Sequence, residues 1–208
     1  RRSKIPDLWH GPAIVIGHEW NDRHRCDSYW LSYGGKCFLV NGMYMRHADM
    51  EELRQLLTRA LAWSDAHVNA EEVLTDYPKE LQGQVIPGQS YSPYQLLEHM
   101  RIAQEDILDF SRNPAYKERS WPQDYWPVSP EPPNGESWDL SLKKFLFDRE
   151  EMIRLLRDPA IELFHPFAHG TGQHLARQAV LLIDHNAYHL GQIALFRKLQ
   201  GDPQRIRK

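Results

Sequence analysis

Residues 181–196 read LLIDHNAYHLGQIALF and carry two histidines, His185 and His189, inside the most apolar part of the chain. A four-residue spacing sets both imidazoles on one face of a helix, about 6 Å apart along its axis. The seam they share runs Gln178, Leu182, His185, His189, Gln192, Phe196, Leu199, so the two rings sit in an inward stripe between Leu and Phe. Such a pair either shares a metal ion or is two polar residues near a rim. Working outward, the periodicity predicts a long helix from about Gln173 to Leu199, ended by the GDP that follows and opened by Thr171 as a candidate N-cap.

Three further helical patterns precede it. Residues 49–68 place Met50, Leu53, Leu56, Leu57, Ala60 and Leu61 at three- and four-residue spacing behind Asp49, a candidate N-cap. A second helix opens at Ser92-Pro93-Tyr94-Gln95, where Ser92 can cap, Pro93 suits the first helical position and Gln95 completes a capping box. Its stripe is Leu96, His99, Met100, Ala103, Ile107 and Phe110. A third, residues 138–156, carries Leu142, Phe145, Leu146, Met152, Ile153 and Leu156 on one face. Between the second and third lies a proline- and aromatic-rich connection too long for a tight hairpin, expected to cross the end or side of the fold with Trp121, Tyr125 and Trp126 burying their rings. Four amphipathic helices with one long crossover give an all-α fold class, a four-helix bundle.

Residues 1–46 have no sustained period and are expected to be an irregular extension outside the bundle of residues 47–201, with 202–208 a short tail. A metal knuckle from His18, His24, Cys26 and Cys37 is the sharper reading, but the spacing fits none of the usual zinc patterns. A third reading starts translation at Met43, Met45 or Met50. The chain has 208 residues, 41% hydrophobic and 25% charged, which suits one soluble domain. A net charge of −3 without a basic, aromatic-interleaved patch argues against nucleic acid. No apolar run reaches the roughly 18 residues of a membrane span, and no signal peptide is recognisable. Two cysteines exclude a disulfide framework and make a reducing cytoplasm the default location.

His99 sits inward on the second helix as His185 and His189 do on the fourth. Three imidazoles in one core are costly unless each meets a hydrogen bond or a metal, although spacing alone does not set His99 level with the pair. Three neutral nitrogens suit Zn²⁺ or Ni²⁺, with Fe²⁺ and Mn²⁺ as further candidates, and leave a coordination position for water or substrate. The position after His185 is Asn186 rather than the Glu of a zincin, and the lone ExxH, Glu162 with His165, is followed by Pro166, so a di-iron site fails. His169, Tyr188 and Gln192 are the candidate pocket or supporting residues, with Asp106 and Asp184 as partners that could orient an imidazole.

Taken together, SPYQLLEHMRIAQEDILDFSRNPAY, WPQDYWP, FLFDREEM and HGTGQHLARQAVLLIDHNAYHLGQIALFRKLQG, in that order, resemble the DinB-like superfamily over residues 47–201. The resemblance implies an up-down-down-up four-helix bundle, often homodimeric, with the long crossover between helices two and three. It implies a divalent metal held by His99, His185 and His189. It further implies metal-dependent chemistry on a small-molecule substrate, with thiol-dependent S-transfer to a small electrophile the leading case and a low-molecular-weight thiol as co-substrate. The alternative is a non-catalytic, stress-related bundle that binds a metal or small ligand. Tyr94 stands where this group usually has Trp.

Overall fold

The structure is a computed structural model, and it describes residues 15–20, 26–33, 36–40, 47–62 and 67–202. The chain divides into two compact units at residue 50. In the first, strands β1 (Val15–Trp20), β2 (Cys26–Tyr33) and β3 (Lys36–Val40) form an antiparallel sheet in the order β1-β2-β3, with an irregularity between Glu19 and Trp20. This corrects the expectation of an irregular extension. The aromatic and β-branched residues of SYWLSY and KCFLV favour strands, and the pairing of neighbouring segments, rather than a visible period, organises them. In register, Cys26 opposes Trp20 and Cys37 opposes Ser32, at opposite ends of β2. His24 of the conjectured knuckle lies outside the described residues.

The second unit is helical, with no strand among its described residues. Its elements are α1 (His47–Ala60), which begins in the first unit, α2 (Ala70–Leu74), α3 (Pro93–Arg112), α4 (Ser137–Arg157) and α5 (Leu175–Leu199), with 3₁₀ turns at Lys79–Leu81 and Gln123–Tyr125. α1 starts ahead of Asp49 and stops eight residues short of the expected end at 68. The five-residue α2 was not anticipated. It opens with a reciprocal capping box, in which Asn69 Oδ1 accepts from the Glu72 N–H and Glu72 Oε2 accepts from the Asn69 N–H.

α3 opens as its sequence dictates: Ser92 Oγ accepts from the Gln95 N–H, and Gln95 Oε1 accepts from the Ser92 N–H, each at 3.1 Å. α5 is capped by His174, whose Nδ1 accepts from the Arg177 N–H, rather than by Thr171. It closes in a Schellman arrangement. The N–H of Asp202 donates to the Arg197 carbonyl and that of Gly201 to the Lys198 carbonyl, while Gly201 adopts φ 78°, where a side chain would be strained.

α3 packs on α4 and α5 around a core of Leu96, Leu97, Met100, Trp138, Phe145, Ile193 and Phe196. Two polar side chains tie α2 to it. Trp138 Nε1 donates to the Leu74 carbonyl at 3.0 Å, and the buried Arg197 guanidinium donates to the carbonyls of Val73, Thr75 and Asp76 while pairing with Asp202. A cation at the C-terminal end of a helix satisfies carbonyls that have no intrahelical partner.

The long connection 113–136 runs as a strap along α3. Ser92 Oγ donates to the Pro130 carbonyl, Gln95 Nε2 to that of Pro127 and His99 Nδ1 to that of Tyr125, at 2.6, 3.0 and 3.0 Å. Donors at 92, 95 and 99 lie on one helix face, so the strap descends α3 antiparallel to it. Trp126 packs at the edge of the core, but Trp121 is 67% exposed, against the expectation that it anchors the strap.

Candidate metal centre

The strap and α5 bring His99, His185 and His189 together, with one ring nitrogen from each lying within 4.8 Å of the others. His99 comes from α3; the other two lie one turn apart on α5, where His189 is buried and His185 half-buried. Each ring is held from behind. The Tyr125 carbonyl can only accept, so His99 Nδ1 carries the hydrogen. His189 Nδ1 donates to Gln192 Oε1 at 2.7 Å.

His185 is set by a directional chain. The Phe145 carbonyl accepts from Gln104 Nε2 at 2.5 Å, so Gln104 Oε1 accepts from Asn186 Nδ2 at 3.0 Å. Asn186 Oδ1 then faces His185 Nδ1 in a long 3.4 Å contact, which makes that nitrogen a donor as well.

All three rings therefore keep Nε2 free of a hydrogen, and one nitrogen from each is close enough to the others to share an ion. The Nε2 atoms of His99 and His185 are 3.1 Å apart. Two acceptors at that separation repel unless a proton or a cation lies between them. A tetrahedral Zn²⁺ with bonds near 2.0 Å holds its nitrogens about 3.3 Å apart, so the donor set fits a divalent ion after small rotations. The neutral state that ligation needs is favoured throughout. Burial pushes His99 down to about 4, against the hydrogen bond to Tyr125 and with the help of His185 and His189. Burial also lowers His185, reinforced by His189, and lowers His189.

Trp126 lies flat on His99, and Tyr91 stacks on Trp126. The cluster forms part of the wall of a cleft of about 830 Å³ that also includes Asp106, Trp121, Leu181, Asp184 and Tyr188. Asp106 is buried and accepts from the hydroxyls of Tyr116 and Tyr125 at 3.0 and 2.7 Å, which fixes the tyrosine whose carbonyl holds His99. Burial, and then this carboxylate, raise the Tyr125 hydroxyl well above the ordinary phenol range.

Of the other candidates, Tyr188 lines the cleft and Gln192 supports His189. His169 lies elsewhere. Its Nε2 donates to the Phe110 carbonyl in a separate groove with His165, so it serves to hold the linker before α5. The sequence reading missed Trp126 as a cover for His99, and missed Gln104 with Asn186 as the support of His185. An amide one turn past Met100 of the inward stripe was the available signal for Gln104.

Among the described residues no helix is long and apolar enough to cross a membrane. No protein-family model, curated protein or solved structure matches the chain at a significant level.

Proposed function

We propose that this chain is a divalent-metal-dependent enzyme of the DinB-like group, transferring a small thiol to a small electrophile. In that reading its helices form an up-down-down-up four-helix bundle that works as a homodimer. The clustering of three histidine nitrogens in the wall of an open cleft carries the reading. His99, His185 and His189 would hold the ion, with Zn²⁺ or Ni²⁺ ahead of Fe²⁺ or Mn²⁺ for an all-imidazole set. A bound divalent ion supplies an acidifying position that lowers the pKa of a thiol and stabilises developing negative charge.

The chain's own residues supply the remainder. Tyr125 and Gln192 fix two ring orientations, Trp126 shields His99 from water, and the cleft admits the electrophile beside the histidines. In the transfer the thiol gives its proton to solvent, the sulfur forms a bond to the electrophilic carbon, and the leaving group departs with the electrons of the bond it breaks. The alternative, a non-catalytic metal-binding bundle, calls for an ion sealed by apolar side chains. The openness of the cleft, with Trp121 and Tyr188 exposed in its wall, favours the enzyme.

The test is metal content by elemental mass spectrometry on tag-free protein, wild type beside His185→Ala, followed by thiol-consumption assays with small electrophiles. Near one equivalent in the wild type, lost in the variant, is expected. No metal in either sample and no uptake of added Zn²⁺ or Ni²⁺ overturns the proposal.

A further inference from the structure

The charge and ring content of the cleft bear on what it selects. None of its lining residues is Lys or Arg, whereas two, Asp106 and Asp184, are carboxylates. Arg119, which reaches the wall at Asp106, is already engaged, with Nε 3.5 Å from Asp106 and Nη2 3.3 Å from Glu105. Asp106 is further occupied by two tyrosine hydroxyls. Asp184 is exposed, lies one turn before Tyr188 on the same face of α5, and lines the cleft together with His185. Trp121 and Tyr188 leave 67% and 65% of their surfaces open. Exposed aromatic faces beside an uncompensated carboxylate are the chemistry that receives an organic cation.

We propose that the cleft selects a cationic ligand: a small thiol bearing an ammonium group and no carboxylate, its sulfur directed to the three histidines and its cation turned into the part of the cleft lined by Asp184, Trp121 and Tyr188, within the field of the carboxylate without touching it. This rests on the proposed thiol chemistry and narrows it. An anionic thiol of the same length meets Asp184 with no side-chain cation in the wall to receive it. His99, His185 and His189 would hold the ion, and a thiol taken up there would lose its proton to solvent with no change of oxidation state.

The test loads the full chain with Co²⁺ and titrates it with 2-aminoethanethiol, 2-mercaptoethanol and thioglycolate, reading sulfur-to-cobalt charge-transfer absorption. The three thiols differ in acidity, so the quantity compared is the cation-over-anion affinity ratio in wild type against Asp184→Asn. A carboxylate about 8 Å from the ligand charge in a water-like dielectric changes that ratio about fivefold. The expected result is a ratio about fivefold larger in the wild type, shrinking in high salt, with unchanged cobalt ligand-field bands showing that the variant is folded and loaded. Equal ratios in the two proteins overturn the charge selection while leaving thiol binding intact. Absence of a charge-transfer band with every thiol overturns the underlying thiol reading instead.

Discussion

Trp126 lies flat against His99, with planes 6° apart and ring centroids separated by 3.8 Å, while the far side of the indole is stacked on Tyr91 at 3.9 Å. The imidazole is thus fixed by a backbone carbonyl at one edge and by an aromatic face across its plane. Trp126→Ala leaves the ring free to tilt and lets water reach it. Supporting residues of metal ligands are typically worth 10- to 100-fold in affinity, and a stacking contact without a hydrogen bond belongs at the lower end. We expect about tenfold weaker Zn²⁺ binding by competition with a chromophoric chelator, largely restored in Trp126→Phe. Unchanged affinity in the alanine variant would show that the Tyr125 carbonyl alone suffices.

The amide chain from Phe145 through Gln104 and Asn186 to His185 has only one direction available to its hydrogens. Gln104→Leu removes the middle, strips the Asn186 amide of its buried acceptor and leaves the Phe145 carbonyl with its helical bond alone. The penalty for stranding one buried amide is about 1–3 kcal/mol, measurable by urea denaturation. The same variant frees Asn186 to rotate, so metal affinity should fall with stability. A variant as stable as the wild type would mean that water replaces the amide.

Arg197 is 2% exposed and bonds the carbonyls of Val73 in α2 and of Thr75 and Asp76 just past its end. Arg197→Met keeps most of the apolar volume and deletes every one of those bonds, together with the Asp202 pair. We expect a loss of about 3 kcal/mol, with amide exchange accelerated first in α2 and the turn that follows. Uniform acceleration across the helices would instead place the effect in the core.

The Arg149 guanidinium, bidentate on Glu71 at 2.5 and 3.0 Å, holds that carboxyl below the usual carboxylate range. A carboxylate depressed in the folded state stabilises above its unfolded pKa, and the effect is lost as pH falls through the folded value. Glu71 is 42% exposed, so solvent screening limits the contribution to about 1 kcal/mol. Glu71→Gln should therefore melt about 2–4 °C below wild type at neutral pH, and the two melting curves should converge by pH 3. A gap that persists at pH 3 would assign the effect to packing.

Ser92, Pro93 and Gln95 announced the start of α3 correctly because a capping box is local chemistry, written in consecutive residues. The histidine pair was equally legible, since helical spacing decides which faces coincide. His99 needed tertiary geometry to be set level with it. Other features left weaker signals. Asn69 and Glu72 carry the same capping signature as Ser92 and Gln95, but the apparent period of 49–68 ended immediately ahead of it and left no separate helix to be expected there. Trp121 was expected to be buried on residue type alone, and a large ring on an exposed strap breaks that rule. The acceptor for His99 is a main-chain carbonyl, which every residue possesses and no sequence position advertises. The strands of the first unit lacked a clear alternation, and only their pairing reveals them.

His189 and Arg197 ride on the same helix, eight residues or about 12 Å apart. Any slide of α5 that carried His189 toward its partners would tear Arg197 from the carbonyls it grips and unseat the Schellman turn behind it. The helix is pinned at its far end like an axle in a bearing. Gathering three nitrogens from a 4.8 Å spread around one ion therefore falls to rotation of the side chains and not to travel of the backbone. A centre assembled in this way responds to its ligand locally, and the rest of the helical unit stays still.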